Sequence, residues 1–318
     1  MFRFTIGAAM TAAVLIGATG ISSAAETKQL YFVANGAVDF WKLAEAGMKK
    51  AQAELPGYSV EIKYPEQSSA AIQNRLMDDL VSNGATGIMV SSVDPKTQVD
   101  ELNKLAGQTV LFTTDSDATG SNRAAYIGSS NVDAGHQAGA ILKKALPNGG
   151  KCIAFAGLPG ADNARERLEG IKDAIKGTNI SVVDVRADDM DQTRAKRNVE
   201  DELTARGDVN CMIGIYAYNT PEIYLALKEA GKLGQITVVG FDNDQVTLGG
   251  VKEGSIAGTV VQDPFEWGYE GMKDLAKYSE GDKSFIPANK LIIVPTQIID
   301  QSNVDAFTAQ LKERLGKK

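Results

Sequence analysis

A chain of 318 residues, 43% apolar and 23% charged, has the composition of an ordinary globular protein and is long enough for two cores of common domain size, which argues against disorder. Its 33 Lys and Arg against 40 Asp and Glu leave a formal charge of −7. That charge repels nucleic-acid phosphates and anionic lipid, and no basic cluster interrupts it, so no nucleic-acid partner is expected.

The first segment follows a different rule from the rest. MFRFTIGAAMTAAVLIGATGISSAAE carries one positive charge at Arg3, an apolar stretch over 6–16, and small residues at Ser23 and Ala25 where a signal peptidase reads positions −3 and −1. Residues 1–25 are expected to be a cleaved secretory signal, and the remainder an exported, unanchored protein of a bacterial periplasm. A membrane anchor fits less well, because Gly17 and Gly20 interrupt the helix and no further apolar segment of 18 residues follows. No cysteine lies near the cleavage point to carry a lipid.

Beyond the signal, apolar runs alternate with segments of helical period. LYFVA (30–34), VEIKY (60–64), GIMVSSV (87–93) and TVLFTT (109–114) read as strands, separated by helices such as FWKLAEAGMKKAQAEL. A short apolar segment, AAYIGS, leads into the helix NVDAGHQAGAILKKAL, with Asn131 as its expected N-cap and Asp133 near its positive end. A second series follows: CIAFAG (152–157), SVVDVRA (181–187), CMIGIYA (211–217), ITVVGF (236–241) and IAGTVV (256–261), with helices ARERLEGIKDAIK and TRAKRNVEDELTAR between. Last come a helix (FEWGYEGMKDLAKY), a strand (KLIIVPTQIID) and a helix (NVDAFTAQLKERL), too few for a third domain. The fold class expected is α/β, two doubly wound parallel-sheet lobes joined by three crossovers near 129, 263 and 293. The first lobe would hold 26–128 and 264–292, the second 129–263 and 293–318.

Cys152 and Cys211 each stand at the start of a strand of the second series. An oxidising compartment permits a bridge between them, and two buried thiols are the alternative. Neither forms a zinc site, since the only histidine, His136, lies in a separate helix.

In open parallel sheets ligands sit beyond the carboxyl ends of the strands. Those ends carry Asn35, Ser91 with Ser92, and Asp115 with Asp117 in the first series. In the second they carry 188–191, Asn219, Asp242 with Asn243, and Gln262. Carboxylates accept and amides both donate and accept, so such a ring suits a molecule rich in hydroxyls. Arg167 adds a fork of donors, and Phe40 and Trp41 bring flat apolar faces, of which one is free to face a cleft. Micromolar binding needs about 8 kcal/mol, and each net hydrogen bond supplies about 1 kcal/mol, or two to three times that with a charge. Neither half-site reaches that sum alone, so closure of both lobes on the ligand is expected.

DFWKLAEAGMKKA, SNGATGIMVSSVDP, TTDSDA, YIGSSNVDAG, ARERLEGI, VVGFDNDQ and VVQDPFEWGYEG, in this order and spacing, resemble the periplasmic sugar-binding proteins of ABC importers, the type I group that includes ribose-binding protein. The resemblance covers nearly the whole chain after the signal. It implies two lobes with three crossovers, a small neutral sugar or polyol as ligand, an ABC permease in the inner membrane as partner, no cofactor and a monomer. Carried over by position, it implies that Phe40 and Trp41 flank the sugar ring, that Ser91 and Asp115 bind hydroxyls, and that Ser129 lies at the first crossing. Arg167, Asn219, Asp242 and Gln262 would complete the ring, with Met190 where ribose binders place an aromatic. It also implies that the strands bearing Cys152 and Cys211 are neighbours, although adjacent parallel strands seldom direct side chains as a disulfide needs. Two departures stand out: Ser116 and then Asp117 replace an arginine directly after the aspartate, and Ser91 replaces an asparagine. The T-D-S-D run also resembles receptors for the autoinducer-2 furanosyl signal.

Other classes fit less. No G-x-S-x-G, G-x-x-x-x-G-K or H-E-x-x-H occurs, so catalysis would fall to paired carboxylates such as Asp115 and Asp242 in a glycoside hydrolase. The acidic runs DSDAT, DDMDQ and DNDQ do not complete a calcium loop. A sugar-responsive repressor would need an N-terminal helix-turn-helix and a basic surface.

Overall fold

The apolar runs become strands because each is covered on both faces, which only a sheet between helix layers provides. The computed structural model describes residues 1–2 and 27–316, and residues 3–25 of the expected secretory signal, with the apolar stretch over 6–16, lie outside the described residues. The first series contains β1 (Lys28–Val33), α1 (Trp41–Glu54), β2 (Tyr58–Lys63), α2 (Ala70–Ser82), β3 (Ala85–Val90), α3 (Val99–Ala106), β4 (Val110–Thr114) and β5 (Ala125–Gly128). The second contains α4 (Asn131–Ala145), β6 (Gly150–Ala156), α5 (Asp162–Ala174), β7 (Ile180–Ala187), α6 (Gln192–Ala205), β8 (Cys211–Gly214), α7 (Asn219–Glu229), β9 (Thr237–Phe241), α8 (Gln245–Glu253) and β10 (Gly258–Val261). Then follow α9 (Pro264–Ser279), β11 (Leu291–Ile293), β12 (Gln297–Ile299) and α10 (Val304–Arg314).

The strands form two sheets of equivalent order, β2-β1-β3-β4-β5-β11 and β7-β6-β8-β9-β10-β12. All pairs are parallel except β12, which runs antiparallel to β10. The chain passes from one sheet to the other between β5 and α4, between β10 and α9, and between β11 and β12. KLIIVPTQIID is therefore not one strand but two in different sheets. Pro295, which has no N–H to give a ladder, stands at the break. Central strands β3, β6 and β9 are buried along almost their whole length, while edge strands β2 and β7 are only partly covered and carry charges.

Each lobe clamps one helix pair by close backbone contact. A Cβ on Gly47 of α1 would lie 2.0 Å from the carbonyl oxygen of Phe265 in α9, and one on Gly170 of α5 would lie 2.1 Å from that of Val132 in α4. These crossings place the first turns of α1 and α5 at the cleft. α4 differs from expectation at its start: Ser130 is the N-cap, its hydroxyl accepting from the N–H of Asp133 at 3.2 Å. Asn131 is already helical, and its amide turns inward to the site.

Cys152 and Cys211 face each other in the ladder of β6 and β8 with Cα atoms 4.3 Å apart, and the structure joins them in a disulfide. The bridge forms although adjacent parallel strands seldom direct side chains this way; the ladder of β6 with β8 is regular here, and the register shift beside Cys152 lies on the β7 side, where Val183 is the extra residue. Denatured, unreduced protein is expected to yield no titratable thiol. Reduction releases a loop spanning 59 positions, for which chain entropy alone predicts a loss of about 4 kcal/mol. An unaltered melting temperature after verified reduction would contradict a stabilising bridge.

Candidate functional site

One cavity lies between the carboxyl ends of the two sheets. Its walls come from Asn35, Val38, Phe40, Trp41 and Asp115 on one side and from Asn163, Arg167, Met190, Tyr216, Ala217, Tyr218, Asp242 and Gln262 on the other. About 330 Å³ of atom-free space lies between these side chains, part of it open to solvent. Asp115, Asp242 and Met190 occupy the left-handed region with φ of 53°, 65° and 65°. Outside glycine that conformation costs on the order of 1 kcal/mol per residue, and it collects where strands turn their last residue into a site.

Asp115 and Asp242 carry the negative charge of the cavity and Arg167 its only positive charge. The Arg167 guanidinium is 1% exposed; Nη1 donates to the Ile215 carbonyl at 2.7 Å and Nε to Asn131 Oδ1 at 3.1 Å. Its Cζ lies 4.7 Å from the Phe241 ring centre, and Nη2, without a hydrogen-bond partner, stands 3.7 Å from Asp115 Oδ1. Burial pushes both carboxyls upward, Asp242 to about 6, against the opposing pull of Arg167. Among the described residues the Asp242 carboxylate accepts only from Gln262, by its backbone N–H at 3.3 Å and its amide at 3.3 and 3.5 Å. Gln262 Oε1 and Trp41 Nε1 are buried and unpartnered. Tyr216 and Tyr218 stay neutral donors, because burial raises both phenols.

Phe40 and Trp41 both line the cavity, packed edge to face with centroids 4.9 Å apart. Trp41 belongs to the first-lobe core and is buried, while Phe40 is half-buried beside it. Asp115, Arg167, Met190, Asp242 and Gln262 are brought together as expected from their positions.

Four expected ligand contacts are not cavity walls. Ser91 lies behind Asp115, donating its hydroxyl to Oδ2 at 2.9 Å. Asp117 faces away, its carboxylate taken by the guanidinium of Arg123, the Thr113 hydroxyl and the Ala118 N–H. Ser129 sits at the first crossing and donates to the carbonyl of Val294 at the third, 3.0 Å away. Asn219 donates to Asp188 Oδ2 at 2.8 Å and accepts from the Tyr216 N–H at 3.0 Å, so it braces the loop carrying the tyrosines. Asp188 is likewise behind the wall, held by Tyr218, Asn219 and the Met190 N–H. His136 is an exposed partner of Asp173 at 3.1 Å. Among the described residues, no group of three or more His, Cys, Asp or Glu is placed to hold a metal ion.

Val38, Asn163, Tyr216 and Tyr218 were not read from sequence. Asn163 follows the end of β6, a strand end that the polar-shelf rule reaches equally well. Tyr216 and Tyr218 fall in a run that continues the apolar character of β8, although the strand stops at Gly214.

A family model described as a periplasmic binding protein domain matches residues 30–283. The ribose import binding protein of Haemophilus influenzae is 30% identical, over 86% of this chain and 94% of its own length. The D-apiose import binding protein of Paraburkholderia graminis is 26% identical over 78% and 80%. Among solved structures, an ABC transporter solute binding protein of Burkholderia graminis in complex with D-arabinose superposes with a TM-score of 0.82 at 27% identity, covering 88% of this chain and 97% of the other. With both half-sites built on the ends of two like sheets, the chain belongs to the periplasmic binding protein family, among the sugar-binding proteins of ABC importers.

Proposed function

We propose that this protein is a periplasmic solute receptor that binds one small neutral sugar or polyol between its lobes, 26–128 with 264–292 and 129–263 with 293–318, and hands it unaltered to an ABC permease. The observation that carries this reading is a single cavity in which acceptors on Asp115, Asp242 and Gln262 meet the free Nη2 of Arg167 beside aromatic rings. Two carboxylates against one guanidinium repel an anion, whereas hydroxyls can donate to the acceptors and accept from the arginine. The names of the relatives agree in kind, being import proteins for ribose and apiose.

The ligand is held only where both lobes reach it, so binding populates the closed arrangement that a permease recognises. The receptor acts as a monomer and performs no chemistry on its cargo. Among the described residues no helix is long and apolar enough to cross a membrane.

A melting-temperature screen over pentoses, hexoses, polyols and an autoinducer-2 furanosyl compound tests this. A ligand present at about a hundredfold its Kd adds about 2.7 kcal/mol, which moves the melting point by several degrees in a protein of this size. Calorimetry on the hits should give one site per chain, and mass spectrometry should return the ligand intact. If no neutral hydroxylated compound moves the melting point, the reading falls.

A further inference from the structure

Asn163 stands in the first turn of α5, in the second lobe, and its Nδ2 lies 3.0 Å from both oxygens of Asp115 in the first. Its own Oδ1 is fixed by the Tyr216 hydroxyl at 3.0 Å and the Ala164 N–H at 2.7 Å, so the amide cannot turn over without losing both. Asp115 Oδ2 also accepts from Ser91 at 2.9 Å and weakly from Asn35 at 3.5 Å. A carboxylate offers about four acceptor positions. What remains open on Asp115 is the side of Oδ1 facing Arg167 Nη2, 3.7 Å away. Asp242 contrasts with it, since only the long contacts from Gln262 occupy its carboxylate.

We propose that Asn163 is a specificity-determining clasp: by closing on Asp115 across the cleft it ties the two lobes together directly and takes the acceptor position that a second ligand hydroxyl would need. The ligand then sets one hydroxyl between Asp115 and Arg167 and directs its others to Asp242 and Gln262. The site thereby selects a compact molecule with few hydroxyls on the first-lobe side. This second half rests on the hydroxylated-ligand reading; the tie between lobes does not.

Asn163→Asp separates the two. It keeps the size of the side chain and the acceptor for Tyr216 and Ala164, yet turns the donor toward Asp115 into a repelling carboxylate. In solution scattering without sugar, the variant should melt cooperatively and show a larger radius of gyration than the natural protein; an unchanged radius overturns the clasp. Asn163→Ala, or Asn163→Ser if the alanine variant does not melt cooperatively, tests selectivity by calorimetry with D-ribose against 2-deoxy-D-ribose and D-glucose against 2-deoxy-D-glucose. Freed acceptors on Asp115 should move the Kd ratio of a pair toward the more hydroxylated member by about fivefold or more. An equal change for both members of each pair overturns the selectivity role. A larger radius in Asn163→Asp with no binding of any neutral hydroxylated compound to any form leaves the clasp standing and removes the sugar reading instead.

Discussion

Asp242→Asn is expected to make the protein more stable at pH 7 and nearly unable to bind. An aspartate ordinarily titrates near 3.9, and burial raises Asp242 to about 6 in the fold. The folded state thus holds this proton more tightly than the unfolded chain does. The resulting stabilisation is complete below about pH 4 and is lost as the pH rises through 6, an effect on the order of 3 kcal/mol. Asparagine stays neutral throughout, so the variant should melt higher than the natural protein at pH 7 and at a similar temperature at pH 4. It also tolerates the φ of 65° at this position and can offer its amide to the orphaned Oε1 of Gln262. Binding goes the other way, because hydroxyls donate to the ionised carboxylate in bonds of about 1.5–3 kcal/mol each. Two such bonds put the loss at about 100-fold or more in calorimetry. For the same reason the natural protein should bind more weakly as the pH falls below 6, by at most about tenfold per unit. Undiminished affinity in the variant, or a lower melting point at pH 7, would remove Asp242 from the site.

A buried acid at the end of a strand is legible in the sequence, and the reason is periodicity. Continuous apolar runs such as ITVVGF can only be covered on both faces in a parallel sheet, and whatever follows them must lie at the carboxyl edge. That logic reached Asp115, Asp242 and Gln262, and both sheets followed from the alternation with helices. It could not tell a side chain that faces the cavity from one that steadies it. Ser91 and Asn219 satisfy the same rule as Asp242, yet their hydrogen bonds go to Asp115 and Asp188. Asp117 follows the fourth strand only two residues after Asp115, but Arg123 lies six residues on and captures it. The direction is set by backbone dihedrals: Asp115 turns at φ 53°, a twist no residue pattern announced in a non-glycine position. Tyr216 and Tyr218 failed in the opposite sense, since their apolar rings extended the strand signal past Gly214, where the chain had already turned. KLIIVPTQIID hid its break for a similar reason, its apolar flanks outweighing one proline.

Arg167→Met is expected to cost more than any other single change in the cavity, and a second substitution should recover part of the loss. Methionine fills comparable volume, so packing against Phe241 survives in part while the charge disappears. Arg167 is the main attractive influence on both buried carboxyls, and without it Asp115 and Asp242 would face burial with hydrogen bonds alone. Breaking one side of such a buried charge set typically costs about 3–5 kcal/mol. Because the penalty falls on ionised carboxylates, it should be largest at pH 7 and shrink toward pH 4. Arg167→Lys keeps a positive charge but not the fork: a single ammonium cannot reproduce the planar set of contacts to the Ile215 carbonyl, Asn131 Oδ1 and the Phe241 ring. That variant should retain most stability and lose binding, separating charge balance from ligand contact. In the double variant Arg167→Met with Asp242→Asn, one of the stranded carboxylates is gone, so its unfolding free energy at pH 7 should exceed the sum of the single effects by a coupling of about 1 kcal/mol or more. Strict additivity across that cycle would mean that Arg167 holds the site by packing and not by the charge it brings.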